Sequence, residues 1–150
     1  MEMKGVNRLF VDTNVLVYAT KEGSPWYQLA VHMLAAAKEN GVILFISPQI
    51  LREYISAATR KSETNPTILF EQVIENLRIF QAELKILEEN QFVVSHLIDL
   101  IEMVSVSGKQ IHDANIVVTM VTHHIPHLLT HNVRDFSRFS HLITIFPLEE

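Results

Sequence analysis

Residues 9–16 have the sequence LFVDTNVL, in which a short apolar run meets an acid, a hydroxyl and an amide before apolar residues resume. The run Leu9–Val11 is typical of a strand buried on both faces of a parallel sheet. Asp12, Thr13 and Asn14 follow it directly. Because open α/β sheets bind ligands at the carboxyl ends of their strands, this junction predicts a polar site at one edge of such a sheet.

Four further apolar runs are as short as the first, and most of them lack the alternation of a half-exposed strand. They are Val42–Ile46, Leu84–Leu87, Leu128–Leu129 and Leu142–Phe146. Longer segments with apolar residues at helical spacing separate them. Strands that alternate with helices predict an α/β domain with a mostly parallel central sheet flanked by helices.

Two of the helices are predicted in the second half of the chain. Residues 92–104 carry apolar side chains at helical spacing. Ser107 and Gln110 have the spacing of a capping box, which would open a helix through His123. That helix is apolar nearly all round, so it should be deeply packed.

Two more helices are predicted within residues 47–80. Ser47-Pro48 is typical of an N-cap followed by proline at the first helical position. The Thr64-Asn65-Pro66 turn should separate this helix from the next. The apolar stripes are Ile50, Leu51, Tyr54, Ile55 and Ala58 in the first helix, and Leu69, Val73, Leu77 and Phe80 in the second. These residues either pack the core or form a groove for an amphipathic partner helix.

Length, charge and composition limit the classes of protein that the chain can be. Its 150 residues fit a single domain, 1–150, with a real core. The chain has no cysteine, which excludes thiol catalysis and thiolate zinc sites. With no signal segment and no apolar run of ~18 residues, a cytoplasmic location is predicted. The net charge of −5 argues against a wide basic face for nucleic acid, but allows phosphates to be handled through bound cations.

Acids and amides from several segments should meet at one edge of the sheet. Asp12 follows the first strand, and Glu53 lies in the helix after the second. Residues 130–132, Thr-His-Asn, close the fourth strand, and Asp135 comes one turn later. Asp113 lies near the start of the most apolar helix, where a buried carboxylate must be paired, hydrogen-bonded or bound to metal.

Each acid also has a purely structural interpretation. Asp12 could cap the helix that begins near Asn14, and Glu53 could be a solvated surface charge. Asp113 could be stabilised by the N-terminus of its helix. Asp135 could belong to a simple turn.

Taken together, the acids favour a cation site. Carboxylates that converge on one cleft repel each other, and bound cations relieve that repulsion. An all-oxygen cluster suits Mg²⁺ or Mn²⁺ rather than zinc. Two such ions can activate water and stabilise the leaving oxygen of a phosphodiester. His123, His124, His127 and His131 are also close in sequence, but they lack the spacing of known zinc sites.

Four segments, in this order, resemble the motifs of PIN domains. They are Leu9–Leu16, Ser47–Glu53, His112–Val117 and Thr130–Phe136. Any one of them is weak evidence, whereas the ordered set is fairly specific and extends over most of the chain.

The resemblance implies a three-layer fold with a mostly parallel sheet, bound Mg²⁺ or Mn²⁺, and hydrolysis of RNA phosphodiester bonds. It implies that Asp12, Glu53 and Asp113 are metal ligands or water activators. It also implies that Asn14 orients Asp12 or contacts the substrate. Thr130 and Asn132 would complete the cleft, and Asp135 would be a nearby metal ligand. Short single-domain members, of the VapC type, are commonly toxins inhibited by an antitoxin protein, and they are often homodimers.

The sequence departs from many PIN domains at Asn132, where these have an aspartate. Whether Asn132 or Asp135 completes the site therefore stays open. Two other functions also stay open: a PIN nuclease of RNA processing outside toxin–antitoxin systems, and a catalytically silent α/β interaction module. Receiver domains are disfavoured because Leu84–Leu87 is followed by no suitable aspartate, and aspartate-nucleophile phosphatases because Asn14 replaces their second aspartate.

Basic residues near the motifs are candidates for contacts with an RNA backbone, although each could equally be a solvated surface charge. They are Arg52, Arg60, Lys61, Lys109, Arg134 and Arg138.

Overall fold

The fold is built on one five-stranded sheet. The structure, a computed structural model, describes residues 3–60 and 68–149. The strands are β1 (Arg8–Val11), β2 (Ile43–Ile46), β3 (Lys85–Ile86), β4 (His127–Thr130) and β5 (Thr144–Pro147). Every pair of neighbours is parallel. All five predicted runs therefore form strands, and the predicted parallel α/β sheet is confirmed.

The strand order determines where a site can form. It is β3-β2-β1-β4-β5, so β1 lies at the centre, between β2 and β4. The chain builds the sheet outward from β1 on one side and then crosses to begin the other side with β4. The order thus reverses at the pair β1 and β4, whose register aligns Val11 with Leu129. In open α/β sheets, the crevice beyond the carboxyl ends at such a reversal is the usual ligand site.

Seven α-helices connect or follow the strands in the described part of the chain. They are α1 (Thr13–Ala19), α2 (Tyr27–Glu39), α3 (Pro48–Thr59), α4 (Phe70–Glu83), α5 (Gln91–Met103), α6 (Gln110–Thr122) and α7 (Val133–Phe136). A 3₁₀ turn at Ser137–Phe139 follows α7. Helix α2 has no counterpart among the helices predicted from the sequence. Among residues 3–60 and 68–149, no helix has the length and apolar character needed to cross a membrane.

The core lies between the sheet and its helices. Leu9, Phe10 and Val11 of β1 are completely buried, as expected for a central strand of a parallel sheet. Six of the seven positions of helix α6 from Ala114 to Met120 are buried, the exception being Asn115. The predicted deep packing of α6 is confirmed, and it holds Asp113 firmly at the start of that helix.

The start of α3 differs from the prediction in one respect. Pro48 is the first helical residue, as predicted. Ser47 occupies the N-cap position, but its side chain makes no capping hydrogen bond and its Oγ is buried without a partner in the described structure. The reason is that the Gln49 N–H, which an N-cap side chain would bind, donates instead to Glu89 Oε1 at 2.9 Å. Glu89 therefore caps α3 from the segment after β3.

Only half of the predicted capping box of α6 forms. The Ser107 N–H donates to Gln110 Oε1 at 3.1 Å. Lys109 is the N-cap residue of the helix, and no side-chain hydrogen bond caps it. The prediction that the Ser107 side chain caps the helix is therefore wrong, because the N-cap position is Lys109, two residues later than that motif requires.

The predicted groove between α3 and α4 exists, but most of its predicted lining is wrong. Ile50, Tyr54, Val73 and Phe80 pack in the core, and Leu69 precedes α4. A shallow groove of about 320 Å³ is lined instead by Leu51, Ile55, Ile74, Leu77, Arg78 and Gln81. The predicted turn at residues 64–66 lies outside the described residues.

A buried hydroxyl ties α3 to two other helices. Tyr54 Oη accepts a hydrogen bond from Asn76 Nδ2 of α4 at 2.9 Å and lies 2.8 Å from Thr20 Oγ1 at the end of α1. Asn76 and Tyr54 are both buried. This network fixes the orientation of α3, and with it the position of Glu53.

Tyr54→Phe should lower the free energy of unfolding by about 1–3 kcal/mol, because it leaves the buried Asn76 amide without its acceptor. Chemical denaturation measures this change. Tyr27→Phe, at a half-buried tyrosine outside the network, is the matched control and should change stability little. Equal effects of the two substitutions would contradict the proposed importance of the network.

Candidate active site

The carboxylate of Asp12 lies at the carboxyl end of β1 and is only 5% exposed. Its Oδ1 accepts a hydrogen bond from the Thr13 N–H at 2.7 Å. Its Oδ2 accepts one from Thr130 Oγ1 at 2.7 Å and one from Asn14 Nδ2 at 3.1 Å. Asp12 is also the N-cap residue of α1, so its capping interpretation is correct and does not prevent it from lining a cleft.

Burial raises the pKa of Asp12 to about 6. The hydrogen bonds from Thr130, Thr13 and Asn14 oppose this rise, and the charge of Glu53 adds to it. Desolvation of a charged group is therefore the dominant effect, since three donors do not compensate for it.

Asn14 joins the ends of β1 and β4. Its Nδ2 donates to Asp12, and its Oδ1 accepts from the His131 N–H at 3.1 Å. Thr130 Oγ1 in turn accepts from the Asn132 N–H at 3.0 Å. The amide and the hydroxyl thus hold Asp12 in one orientation, which is one of the two roles considered for Asn14.

Glu53 is half-buried and hydrogen-bonded, so its interpretation as a solvated surface charge is wrong. Its Oε2 accepts from Thr13 Oγ1 at 2.8 Å, and its Oε1 accepts from Gln49 Nε2 at 2.8 Å. The first bond connects α3 to the residue that follows Asp12, so the two acids are held near each other.

Gln49 is a buried residue of the site that the sequence analysis missed. Its Nε2 also donates to the His112 carbonyl at 2.9 Å, and its Oε1 accepts from Asn115 Nδ2 at 2.7 Å. It therefore connects Glu53 to the helix that carries Asp113. The available signal was its position four residues before Glu53, on the same face of α3.

Asp113 lies at the start of α6, and its pKa is raised to about 7. Burial is the largest cause, followed by the negative charges of Asp12, Asp135 and Glu53. The charge of Arg138 acts in the opposite direction. Asp113 is thus close enough to all three acids to be repelled by them, as expected for acids that share one cleft.

These side chains surround a cleft of about 330 Å³. Its lining is Asp12, Thr13, Asn14, Val17, Tyr18, Glu53, Ala57, Asp113 and Asn132. Five of the seven predicted site residues are in this list. Thr130 is buried next to the lining, bonded to Asp12. Asp135 is an exposed residue of α7 outside the lining, although its charge raises the pKa of Asp113.

Sequence comparison assigns the family. Residues 9–142 match the family model of the PIN domain. The chain belongs to the PIN-domain family. No curated protein matches its sequence.

Solved structures share the fold of this PIN domain. VapBC2 from Rickettsia felis, bound to a DNA fragment from its promoter, has a chain with 22% identity and a TM-score of 0.66 over 93% of this chain and 98% of that one. VapBC-1 from nontypeable Haemophilus influenzae has a chain with 18% identity and a TM-score of 0.69, over 95% of this chain and 99% of that one. The toxin VapC20 from Mycobacterium tuberculosis is described as cleaving the sarcin–ricin loop. It has 12% identity and a TM-score of 0.68, over 86% of this chain and 93% of that one.

The donors in the cleft of the PIN domain suit a hard cation. In the described part of the chain, no three carboxylate or histidine side chains form a ready-made metal shell. This does not conflict with Mg²⁺, which keeps several of its waters and takes only one or two protein carboxylates. No lysine or arginine is among the lining residues, so no basic side chain there neutralises Asp12, Glu53 and Asp113. The chemistry of the residues therefore fits Mg²⁺ or Mn²⁺.

Two of the four histidines that are close in sequence make separate contacts. His123 Nε2 lies 2.7 Å from the Glu88 carbonyl, and His131 Nδ1 lies 3.1 Å from the Tyr18 hydroxyl. His127 belongs to β4. Among residues 3–60 and 68–149, these histidines are not part of any group of three side chains that could hold a metal ion.

The basic candidates lie on the surface of the PIN domain. Arg52 is 3.6 Å from Glu89, and Arg138 is near enough to Asp113 to affect its pKa. Arg60, Lys109 and Arg134 are exposed. Lys61 lies outside the described residues.

The raised pKa values predict how an Asp113→Asn variant changes stability with pH. Because the pKa of Asp113 is about 7 in the fold and 3.8 for an unperturbed aspartate, the folded state binds the proton of this carboxyl more tightly than the unfolded state does. The stability contributed by protonation is complete below pH 3.8 and is lost as the pH rises to about 7. In metal-free buffer, the variant should therefore gain stability relative to the wild type across that window and keep the gain above it.

Chemical denaturation of both proteins at several pH values measures this difference. Asp99→Asn, at an exposed carboxylate on α5, is the control and should follow the wild type. A difference between Asp113→Asn and wild type that does not change with pH would show that Asp113 is not under electrostatic strain.

Proposed function

We propose that this PIN domain is an Mg²⁺- or Mn²⁺-dependent endoribonuclease that acts as the toxin of a toxin–antitoxin pair. The observation that carries the proposal is the convergence of Asp12, Glu53 and Asp113 on one cleft whose lining includes no basic residue. Their mutual repulsion, expressed in the pKa of Asp113, is what a divalent cation relieves.

The acids of the cleft have distinct roles in this proposal. Asp12, Glu53 and Asp113 are the metal ligands or water activators, and Asp135 is a further candidate ligand. Asn14 and Thr130 fix the orientation of the Asp12 carboxylate through their hydrogen bonds. A bound divalent cation supplies a water of lowered pKa and positive charge for the phosphodiester oxygens. Because Gln49 and Thr13 occupy both oxygens of Glu53, its carboxylate is held in a defined orientation toward the cleft.

RNA as the substrate and an antitoxin as the partner are supported by similar structures. Two of these are VapBC complexes, and the Mycobacterium tuberculosis toxin is described as cleaving the sarcin–ricin loop. The apolar groove lined by Leu51, Ile55, Ile74 and Leu77 suits the apolar face of an amphipathic antitoxin helix. A PIN nuclease of RNA processing is the second candidate. A small antitoxin gene beside this one, whose product co-purifies with the chain, distinguishes the first candidate from the second.

We also propose that residues 1–150 form a single domain and that the protein is a homodimer in the cytoplasm. The homodimer is supported by an apolar stripe on α5, where Val94, Ile98 and Ile101 are exposed at helical spacing. Contiguous apolar surface of this kind is typical of a protein–protein interface.

The purified chain should cleave single-stranded RNA in Mg²⁺ or Mn²⁺, and excess chelator should abolish the cleavage reversibly. Asp113→Asn should lower the rate on the order of 100-fold, because it removes a charge that acts on the reacting centre through the cation. Asp99→Asn is the matched control, since it removes an exposed carboxylate away from the cleft. Cleavage that survives chelation would overturn the metal mechanism, and normal cleavage by Asp113→Asn would make Asp113 a structural residue.

The fourth position of the site has two candidates with different geometry. Asn132 lines the cleft but offers a cation only a neutral carbonyl oxygen. Asp135 is charged and lies one turn later in α7, outside the lining. If Asp135 binds the cation directly or through water, Asp135→Asn should weaken Mn²⁺ binding and slow cleavage more than Asn132→Ala does.

Calorimetric titration with Mn²⁺, alongside thermal melts of the same variants, measures this order. The opposite order would assign the position to Asn132. If Asp135 serves only the first turn of α7, its removal should cost about 1 kcal/mol of stability and leave Mn²⁺ binding unchanged. Unchanged binding in both variants would exclude the two residues from the metal site.

A further inference from the structure

Three aromatic rings form a cluster beside the acidic cleft, and the proposed chemistry does not use them. The ring centroids of Trp26 and His131 are 4.3 Å apart, those of Tyr18 and His131 are 5.4 Å apart, and those of Tyr18 and Trp26 are 6.4 Å apart. Tyr18 lines the cleft together with Asp12 and Asp113. The cluster therefore extends the cleft outward along an aromatic surface.

Hydrogen bonds fix this cluster relative to the acids. The Tyr18 hydroxyl lies 3.1 Å from His131 Nδ1, and the His131 N–H donates to Asn14 Oδ1 at 3.1 Å. Asn14 in turn donates to Asp12. At the other end, the Trp26 N–H donates to Ser24 Oγ at 3.1 Å, just before α2 begins. A ligand on these rings would thus be held in a fixed position relative to the reacting centre.

Packing of the α1–α2 connection against β4 is the simpler explanation for the cluster, but it does not account for the exposure of Trp26. The large aromatic side chains that serve the core, Tyr54, Phe136 and Phe139, are buried almost completely. The Trp26 side chain is 37% exposed, although it is the largest apolar side chain in the protein. Part of an indole surface is therefore open to a ligand at the edge of the cleft.

The negative charge of the protein indicates that the aromatic surface beside the cleft must contribute to the affinity for RNA. The chain has a net charge of −5, and no lysine or arginine lines the cleft. Phosphate contacts to basic residues, which usually supply most of the affinity for nucleic acid, are therefore lacking in the cleft itself. Stacking of bases on aromatic rings does not depend on basic side chains, and each unpaired base offers such a surface.

We propose that Trp26, supported by Tyr18 and His131, is a stacking platform for an unpaired base of the RNA strand in the cleft. This inference rests on the proposed ribonuclease function and assigns Trp26 the recognition of an unpaired nucleotide at or next to the cleaved bond. A base within a duplex is covered by its neighbours and cannot reach the indole. Trp26 is thereby a determinant of specificity for single-stranded over double-stranded RNA.

The protein supplies its own probe, because Trp26 is its only tryptophan. In the Asp113→Asn background, in which cleavage is slowed, single-stranded RNA oligonucleotides added with Mg²⁺ should quench the tryptophan fluorescence before they are cut. A duplex of the same sequence should quench it much less. Oligonucleotides in which one base at a time is missing should locate the stacked nucleotide, since quenching should fail when that base is absent.

Substitutions measure how much the platform contributes. In the otherwise wild-type protein, Trp26→Leu should raise KM for single-stranded RNA on the order of tenfold and leave kcat nearly unchanged, because stacking acts equally on the bound substrate and the transition state. Trp26→Phe retains an aromatic ring, so its KM should be close to that of the wild type. Phe92→Leu, at an exposed aromatic residue on α5 that is not part of the cleft, is the matched control and should keep the wild-type KM.

The outcomes separate this inference from the function on which it rests. If the wild-type protein cleaves RNA but its fluorescence does not respond to RNA and Trp26→Leu keeps the wild-type KM, the platform is wrong and the ribonuclease function stands. If the wild-type protein neither cleaves nor binds RNA, both are overturned. A third outcome is that KM is raised in Trp26→Leu and is not restored in Trp26→Phe, and that both variants have a lowered melting temperature. This result would assign Trp26 a structural role only.

Discussion

Burial of the Asp12 carboxylate at the end of the central strand is the constraint on which the rest of the site depends. A buried carboxylate needs donors, and here they come from the next residue, from Asn14 and from Thr130 on the neighbouring strand. The contact with Thr130 requires β4 to lie beside β1. The hydrogen bonds of Asp12 therefore require the same pairing of β1 with β4 at which the strand order reverses and the crevice forms.

The sequence predicted the parts of the structure whose signal is local. Short apolar runs such as Leu9–Val11 predicted all five strands. Polar residues that follow three of these runs, together with the acid near the start of the most apolar helix, predicted five of the lining residues. The missed features depend on partners far away in the sequence. The position of Gln49 four residues before Glu53 is a weak local signal, and its part in the site follows from its contacts with His112 and Asn115. Glu53 is likewise held by its hydrogen bonds with Gln49 and Thr13.

The acids of the site reduce the stability of the fold in the absence of a cation. Desolvation raises the pKa of Asp12, and the neighbouring negative charges add to the effect at Asp113. Such strain is tolerated because the surrounding core is extensive: Leu9–Val11 of β1 are completely buried, and α6 packs deeply directly after Asp113. A rigid framework thus maintains an unfavourable charge arrangement, which the divalent cation of the proposed function would relieve.

The cap that Glu89 provides for α3 has a consequence for how the protein folds. Because the Gln49 N–H binds a carboxylate forty positions away in sequence, the first turn of α3 is complete only when the segment after β3 has docked. Contacts of such long sequence separation form at a high cost in loop-closure entropy and so tend to form late. A newly made chain can therefore complete the first turn of α3 only after the segment that follows β3 has been made, so the helix that carries Glu53 stays uncapped while the intervening forty positions are added.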